Sequence, residues 1–156
     1  MINKAQRSLI LFVMGMLFFV GISPGVKAQT VPALSGQAEI YLLTCSPGQE
    51  VWAHYGHTGI RVLDPPTRRD VVFNYGIFDF NSDNFLWNFV RGEIDYILGI
   101  SSFEGFMHSY RNDNRRVISQ KLNLSQEEKA RLWEALVINS LPENRTYRYN
   151  FYYDNC

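Results

Sequence analysis

Two short segments, far apart in the chain, hold residue types that together make an activated nucleophile. Asp154-Asn155-Cys156 places a cysteine directly after two residues that favour helix N-caps. A helix opening there would turn free N–H groups and the positive end of its dipole toward the sulfur, which stabilises a thiolate. Gly56-His57-Thr58-Gly59-Ile60-Arg61-Val62 places an imidazole at the mouth of a strand. An imidazole beside a thiolate completes a cysteine nucleophile, and the members of such a site are neighbours in space rather than in sequence. Each residue also has a plainer reading. A lone histidine at a strand start is more often structural. Two cysteines in an exported chain, Cys45 and Cys156, raise a disulfide as the default. His54, with Glu50 or Asp64, suggests a metal site, but no third ligand of convincing spacing appears, so neither a metal nor another cofactor is expected. His108 reads as a surface residue of an amphipathic helix.

The elements that would position these groups follow from periodicity. Ala38 to Leu43, Gly59 to Leu63 and Val71 to Tyr75 read as strands, the last two as a hairpin with a loose loop after Asp64-Pro65-Pro66. Cys45-Ser-Pro-Gly48 is a turn. Asn84 to Arg91 has apolar residues three and four apart and predicts a short helix; Asp95 to Ile100 predicts a strand. Phe103, Phe106, Met107 and Tyr110 mark one face of a second helix. Arg116 to Leu122 alternates. Ser125-Gln-Glu-Glu128 is a capping box that opens a helix over about Gln126 to Ser140, with Leu132, Leu136 and Val137 inward and Pro142 beyond its end. Tyr147 to Tyr153 is aromatic enough for a buried strand. The order β-β-β-α-β-α-β-α-β predicts an α+β domain around a largely antiparallel sheet.

The address is the firmest reading. Lys4 and Arg7 precede the apolar run Ser8 to Ile22, and Val26 and Ala28 stand at the −3 and −1 positions of a cleavage site. Residues 1–28 therefore read as a signal peptide rather than an N-terminal anchor, since Gly21 and Pro24 cut the apolar run short of a span. Residues 29–156 remain, enough for one domain. The signal carries Lys4, Arg7 and Lys27 and no acid, so of 15 basic and 15 acidic residues the remainder keeps 12 and 15, a formal charge of −3. No clustered basic face is left for nucleic acid.

Taken jointly, Thr44-Cys-Ser-Pro-Gly48, Glu50-Val-Trp, Gly56-His-Thr-Gly-Ile-Arg61, Phe73-Asn-Tyr-Gly76, Phe78-Asp-Phe80, Gly92, Asp95-Tyr96, Leu98-Gly99 and Tyr149-Asn150-Phe151 with Asp154-Asn-Cys156 resemble the periplasmic domain of the Lnb family. The resemblance runs from about Ala38 to Cys156. It implies a circularly permuted papain-like fold, similar to the NlpC and lecithin:retinol acyltransferase kind. It also implies a lipoprotein N-acyltransferase that moves a fatty acyl chain from a phospholipid to the α-amine of a lipoprotein cysteine through a thioester. Carried over, Cys156 matches the nucleophile and His57 the base. The implied setting is the periplasm, at the inner membrane. Asn74, on the strand after the histidine strand, is placed by topology to orient the imidazole, or else to bond the adjacent backbone. Arg61 and Tyr75 are substrate-binding candidates; Arg61 would meet a lipid phosphate or pair with an acid such as Asp79 or Asp95. Trp52, Tyr55, Phe78, Phe80 and Trp87 are expected mostly in the core, some lining an acyl groove.

Family members continue into the cysteine helix and membrane spans, so the chain reads as truncated at the nucleophile and is expected to be inactive or poorly folded by itself. Two other functions share its residues. A papain-like hydrolase, a cell-wall peptidase or amidase, would use the same Cys–His pair. A non-catalytic envelope domain would lock Cys45 to Cys156.

Overall fold

The structure, a computed structural model, describes residues 31–79, 83–92 and 94–148. The expected signal peptide, Phe80, the strand expected beyond Arg148 and Asp154-Asn155-Cys156 lie outside the described residues.

Six strands form one antiparallel sheet: β1 (Glu39–Cys45), β2 (His57–Asp64), β3 (Arg69–Phe78), β4 (Asp95–Ser102), β5 (Val117–Lys121) and β6 (Thr146–Arg148). Their spatial order is β5-β1-β2-β3-β4-β6. The described residues also form three helices: α1 (Phe85–Arg91) between β3 and β4, α2 (Phe103–Asn112) between β4 and β5, and α3 (Gln126–Asn139) between β5 and β6. The expected α+β class and element order hold. The β2–β3 connection is tighter than expected. A 3-10 turn over Pro65–Thr67 is closed by the Arg68 N–H on the Pro65 carbonyl, with Arg68 left-handed at φ 56.

Strand alternation divides the molecule into two cores. Ile40, Val62, Phe73 and Leu98 point to one face, where α3 covers them with Trp133 and Leu136. Leu43, Cys45 and Val72 point to the other, where α2 covers them with Phe106 and Tyr110. The α3 capping box forms in both directions between Ser125 and Glu128. Leu136 is buried as expected, but the companion at the helix's centre is Trp133. Its ring meets Phe73 edge-on at 5.8 Å, and Leu132 and Val137 are only partly buried. The indole reaches past the sheet to donate to the Pro32 carbonyl at 2.7 Å, which ties the chain's leading segment to the core.

That segment is held at a second point. Asp64, at the end of β2, is the only buried charged side chain among the described residues. It accepts from the Ser35 N–H at 3.0 Å and the Ser35 hydroxyl at 2.5 Å, with the Arg69 guanidinium 3.5 Å away. Burial opposes its ionisation, but the hydrogen bonds from Ser35 and the nearby Arg69 outweigh burial and hold its pKa below the usual carboxylate value.

The end of the sheet opposite Asp64 carries His57. There β1 ends, β2 begins, β3 ends, β4 begins and β6 ends. Residues 46–56 link β1 to β2 around a single 3-10 turn, Val51–Ala53. The link closes at Gly56, which has φ +80; a Cβ there would lie 2.6 Å from the Cys45 carbonyl oxygen.

Two outcomes follow. Asp64→Ala should destabilise the fold by about 2–4 kcal/mol in chemical denaturation, since it strands Ser35 and Arg69. Because folding depresses this carboxyl's pKa, that stabilisation is present above the unfolded-state value and is lost as pH falls through the folded one, so the gap between wild type and variant should narrow in acid. Gly56→Ala should cost about 1–3 kcal/mol in the same assay, combining left-handed strain with a backbone clash.

Candidate functional site

His57 is the first residue of β2, and its side chain lies on the α2 face together with those of Gly59 and Arg61. On β3 the same face carries Val72 and Asn74. The imidazole Nε2 is hydrogen-bonded to Asn74 Oδ1. An amide oxygen only accepts, so Nε2 carries the proton and Nδ1 is left with its lone pair. The strand is irregular immediately beyond. The β3–β4 register shifts between Asn74 and Ile77, and Gly76 (φ +82) passes within 3.8 Å, from an ideal Cβ position, of His57 Cε1. Such an irregularity bends the strand locally, and it falls where β3 passes the ring.

Burial is the largest influence on the imidazole and lowers its pKa below the ordinary histidine value; the positive charge of Arg115 acts in the same direction, and the Asn74 bond opposes both. The ring is therefore neutral at neutral pH, with a fixed tautomer and orientation. A group in that state accepts a proton through Nδ1.

Cys45 stands directly opposite His57 in the β1–β2 ladder, a neighbour that sequence reasoning had not paired with it. It does not have the character of a nucleophile. The thiol is free and buried, 3% exposed, and burial raises its pKa, an effect the hydrogen bond with Tyr110 opposes only in part. Tyr110 is itself pushed upward by burial. A thiol held protonated among Leu43, Val72 and Phe106 is inert. Cys156, the disulfide partner the sequence suggested for Cys45, lies outside the described residues.

Of the substrate-binding candidates, neither reaches the imidazole. Arg61 is on the right face but four residues down the strand, roughly 13 Å away. It pairs with Asp70, not with Asp79 or Asp95. Nε and an Nη contact the two carboxylate oxygens at 2.7 and 2.8 Å, and the guanidinium lies 3.5 Å over the Phe103 ring. Register explains the choice: Arg61 faces Val72, so Asp70 is its diagonal neighbour on the same face, whereas Asp95 starts β4 at the opposite end of the sheet. Tyr75 alternates to the other face, where it packs on the α3 core and its hydroxyl accepts from the Asn139 amide at 3.1 Å. His54 and His108 are both exposed. Among the described residues no three His, Cys, Asp or Glu side chains converge on one point.

Two aromatics expected inside are outside. Tyr55 is 99% exposed and Trp87 63% exposed. Both sit on connections beyond the sheet's faces, which periodicity within strands does not register. Phe78 does join an aromatic cluster with Phe85, Phe89 and Tyr96.

Sequence reasoning missed Arg115. It lies in the α2–β5 loop just after Asn114, which is left-handed at φ 52, and its guanidinium donates twice to the Ser46 carbonyl, at 3.0 and 2.8 Å. Among Arg111, Arg115 and Arg116, nothing in sequence marks which one turns inward.

No helix among the described residues is long and apolar enough to cross a membrane. No curated protein and no solved structure matches the chain. The family model described as the Lnb N-terminal periplasmic domain matches residues 33–156, the span that contains His57, Asn74 and both cysteines. With the match covering most of its length, the chain belongs to the Lnb N-terminal periplasmic domain family.

Proposed function

We propose that this domain catalyses cysteine-dependent acyl transfer from a phospholipid to the α-amine of a lipoprotein N-terminal cysteine, with Cys156 as nucleophile, His57 as acid–base and Asn74 as the residue that orients the imidazole. The observation that carries the reading is the His57–Asn74 bond, which leaves a neutral Nδ1 lone pair at the open end of the sheet. A cysteine, a histidine and an asparagine in this relation are the parts of a papain-like site, in keeping with the permuted papain-like fold that the family resemblance implies.

Topology supports the reach of the nucleophile. β6 runs toward the end of the sheet that carries His57 and is three strands from β2, about 14 Å across. Cys156 lies eight residues past Arg148, a length of chain that extends to roughly 26 Å. The family's periplasmic description, with the signal peptide expected at the N-terminus, is in keeping with a donor lipid and an acceptor met on the periplasmic side of the inner membrane.

In the first half-reaction the Cys156 thiolate attacks the phospholipid ester carbonyl, and collapse of the tetrahedral adduct breaks the bond to the glycerol oxygen. His57, whose Nδ1 has taken the proton of the Cys156 thiol to form that thiolate, delivers it to the glycerol oxygen and lysophospholipid leaves. In the second, the neutral amine attacks the thioester, Nδ1 takes the amine's proton, and an amide and the free thiolate result. Water in place of the amine would make the same site a hydrolase, which is the competing outcome.

The test is the acylation state of lipoproteins, read by mass spectrometry, in cells whose only copy of the gene carries a substitution. Cys156→Ser should abolish the amide-linked acyl chain, whereas Cys45→Ser should retain it. Unchanged acylation with Cys156→Ser would overturn the proposal, and free fatty acid formed without amide would assign the hydrolase. Asn74→Ala should lower the transfer rate about ten- to a hundredfold through loss of ring orientation. Because a depressed histidine pKa keeps the base neutral into mild acid, the acid limb of the wild-type pH–rate profile should fall below the ordinary histidine range. Asn74→Asp, which puts a carboxylate against Nε2, should move that limb upward.

A further inference from the structure

We propose that Arg115 is a positioning residue for His57: it clamps the loop that leads into the histidine strand, at the end of the sheet where the imidazole stands. The inference rests on the role of His57 given above and adds a residue from a different part of the chain.

The clamp is built from several contacts that meet on one residue. Arg115 donates two hydrogen bonds to the Ser46 carbonyl. Its neighbour Arg116 bonds Ser46 through backbone alone, accepting from the Ser46 N–H at 2.8 Å and donating to the Ser46 hydroxyl at 2.9 Å. Ser46 follows Cys45, the cross-strand partner of His57, and the Cys45 carbonyl packs against Gly56, the residue before His57. The guanidinium also touches the other half of the loop. A Cβ on Gly48 would lie 3.3 Å from Arg115 Nε and 2.9 Å from the Ala53 Cβ, so the loop closes around this side chain. The Gly48 N–H in turn donates to the Ala53 carbonyl at 2.9 Å. From behind, the guanidinium lies 4.6 Å over the ring of Tyr110, whose hydroxyl is bonded to Cys45. Arg115 thus joins α2, the β1–β2 loop and the start of β5 at the sheet end where the imidazole sits.

Among the described residues, Asn74 faces the ring from β3 and Cys45 from β1, with Tyr110 of α2 behind the thiol, and Arg115 is the charged residue that acts on the imidazole. Asp113 acts on Tyr110, one step removed. A cation here disfavours the imidazolium, so the ring waits as a base, while the fork on Ser46 fixes where the ring stands. Lysine would supply the charge without the two-point fork.

The experiment is an NMR titration of the His57 Cε1–H in the full-length gene product, in a Cys156→Ser background that removes any thiolate from the ring. Arg115→Gln, Arg115→Lys and Arg116→Gln are compared, alongside amide-forming activity of the same variants with Cys156 intact. Arg115→Gln should raise the His57 pKa and reduce transfer about ten- to a hundredfold. Arg115→Lys should leave the pKa near the parent value yet still slow transfer, and Arg116→Gln, which removes an equal charge one residue away, should change neither. The lysine variant keeps the comparison decisive if the glutamine variant unfolds. His57 titrating alike in Arg115→Gln and Arg116→Gln would overturn the proposal, as would full activity in Arg115→Gln. The titration needs no acyl substrate, so its result stands even where the transferase reading fails.

Discussion

The antiparallel register of β1, β2 and β3 is the constraint on which the site depends. Cys45 pairs with His57 and Ile60 with Phe73, so the imidazole is delivered to the α2 face and to the height of Asn74. Side chains alternate with period two, and a slip of one residue would turn His57 into the α3 core and bring Thr58 to its place. What prevents the slip is burial on both sides of the sheet. Val62 and Ile40 must meet Trp133 and Leu136 while Leu43 and Val72 meet Phe106, and only one register satisfies both.

The polar groups are distributed to match. Asp64 closes one end of β2 with Ser35 and Arg69, and His57 opens the other with Asn74. Between them Arg61 is paired with Asp70 and lies over the Phe103 ring, tying β2, β3 and α2 together. The two thiols divide along the same line. Cys45 is sealed in the α2 core, which leaves Cys156 as the sulfur of the proposed chemistry. The end of the sheet that carries His57 also carries exposed apolar residues on its connections, Val51 and Tyr55 before β2 and Leu86, Trp87 and Val90 on α1.

Much of this was legible in the sequence where a local rule governs. The capping box at Ser125 and Glu128 set the start of α3, the spacing of Phe103, Phe106 and Tyr110 set the buried face of α2, and β-branched runs set the strands. The partner of Arg61 was not legible, because it depends on which residues of β2 and β3 fall opposite one another, a property of the tight Pro65–Thr67 turn. Tyr75 lies one residue from Asn74 and therefore on the other face, with the α3 core. Trp133 was overlooked because its role is a long-range reach to Pro32, and Arg115 because its partner Ser46 is far away in the chain. The His57–Asn74 contact was anticipated only as one of two possibilities; the structure brings the side chains together.

The account therefore turns on one approach, that of the Cys156 sulfur to the free Nδ1 of an imidazole already fixed by Asn74. The most direct test is the pH dependence of Cys156 alkylation, measured in a Cys45→Ser background with His57 present and with His57→Ala. The account predicts rapid alkylation that persists well below the pH at which an ordinary thiol ionises, and a return to ordinary thiol behaviour once His57 is removed. Identical profiles in the two proteins would contradict it.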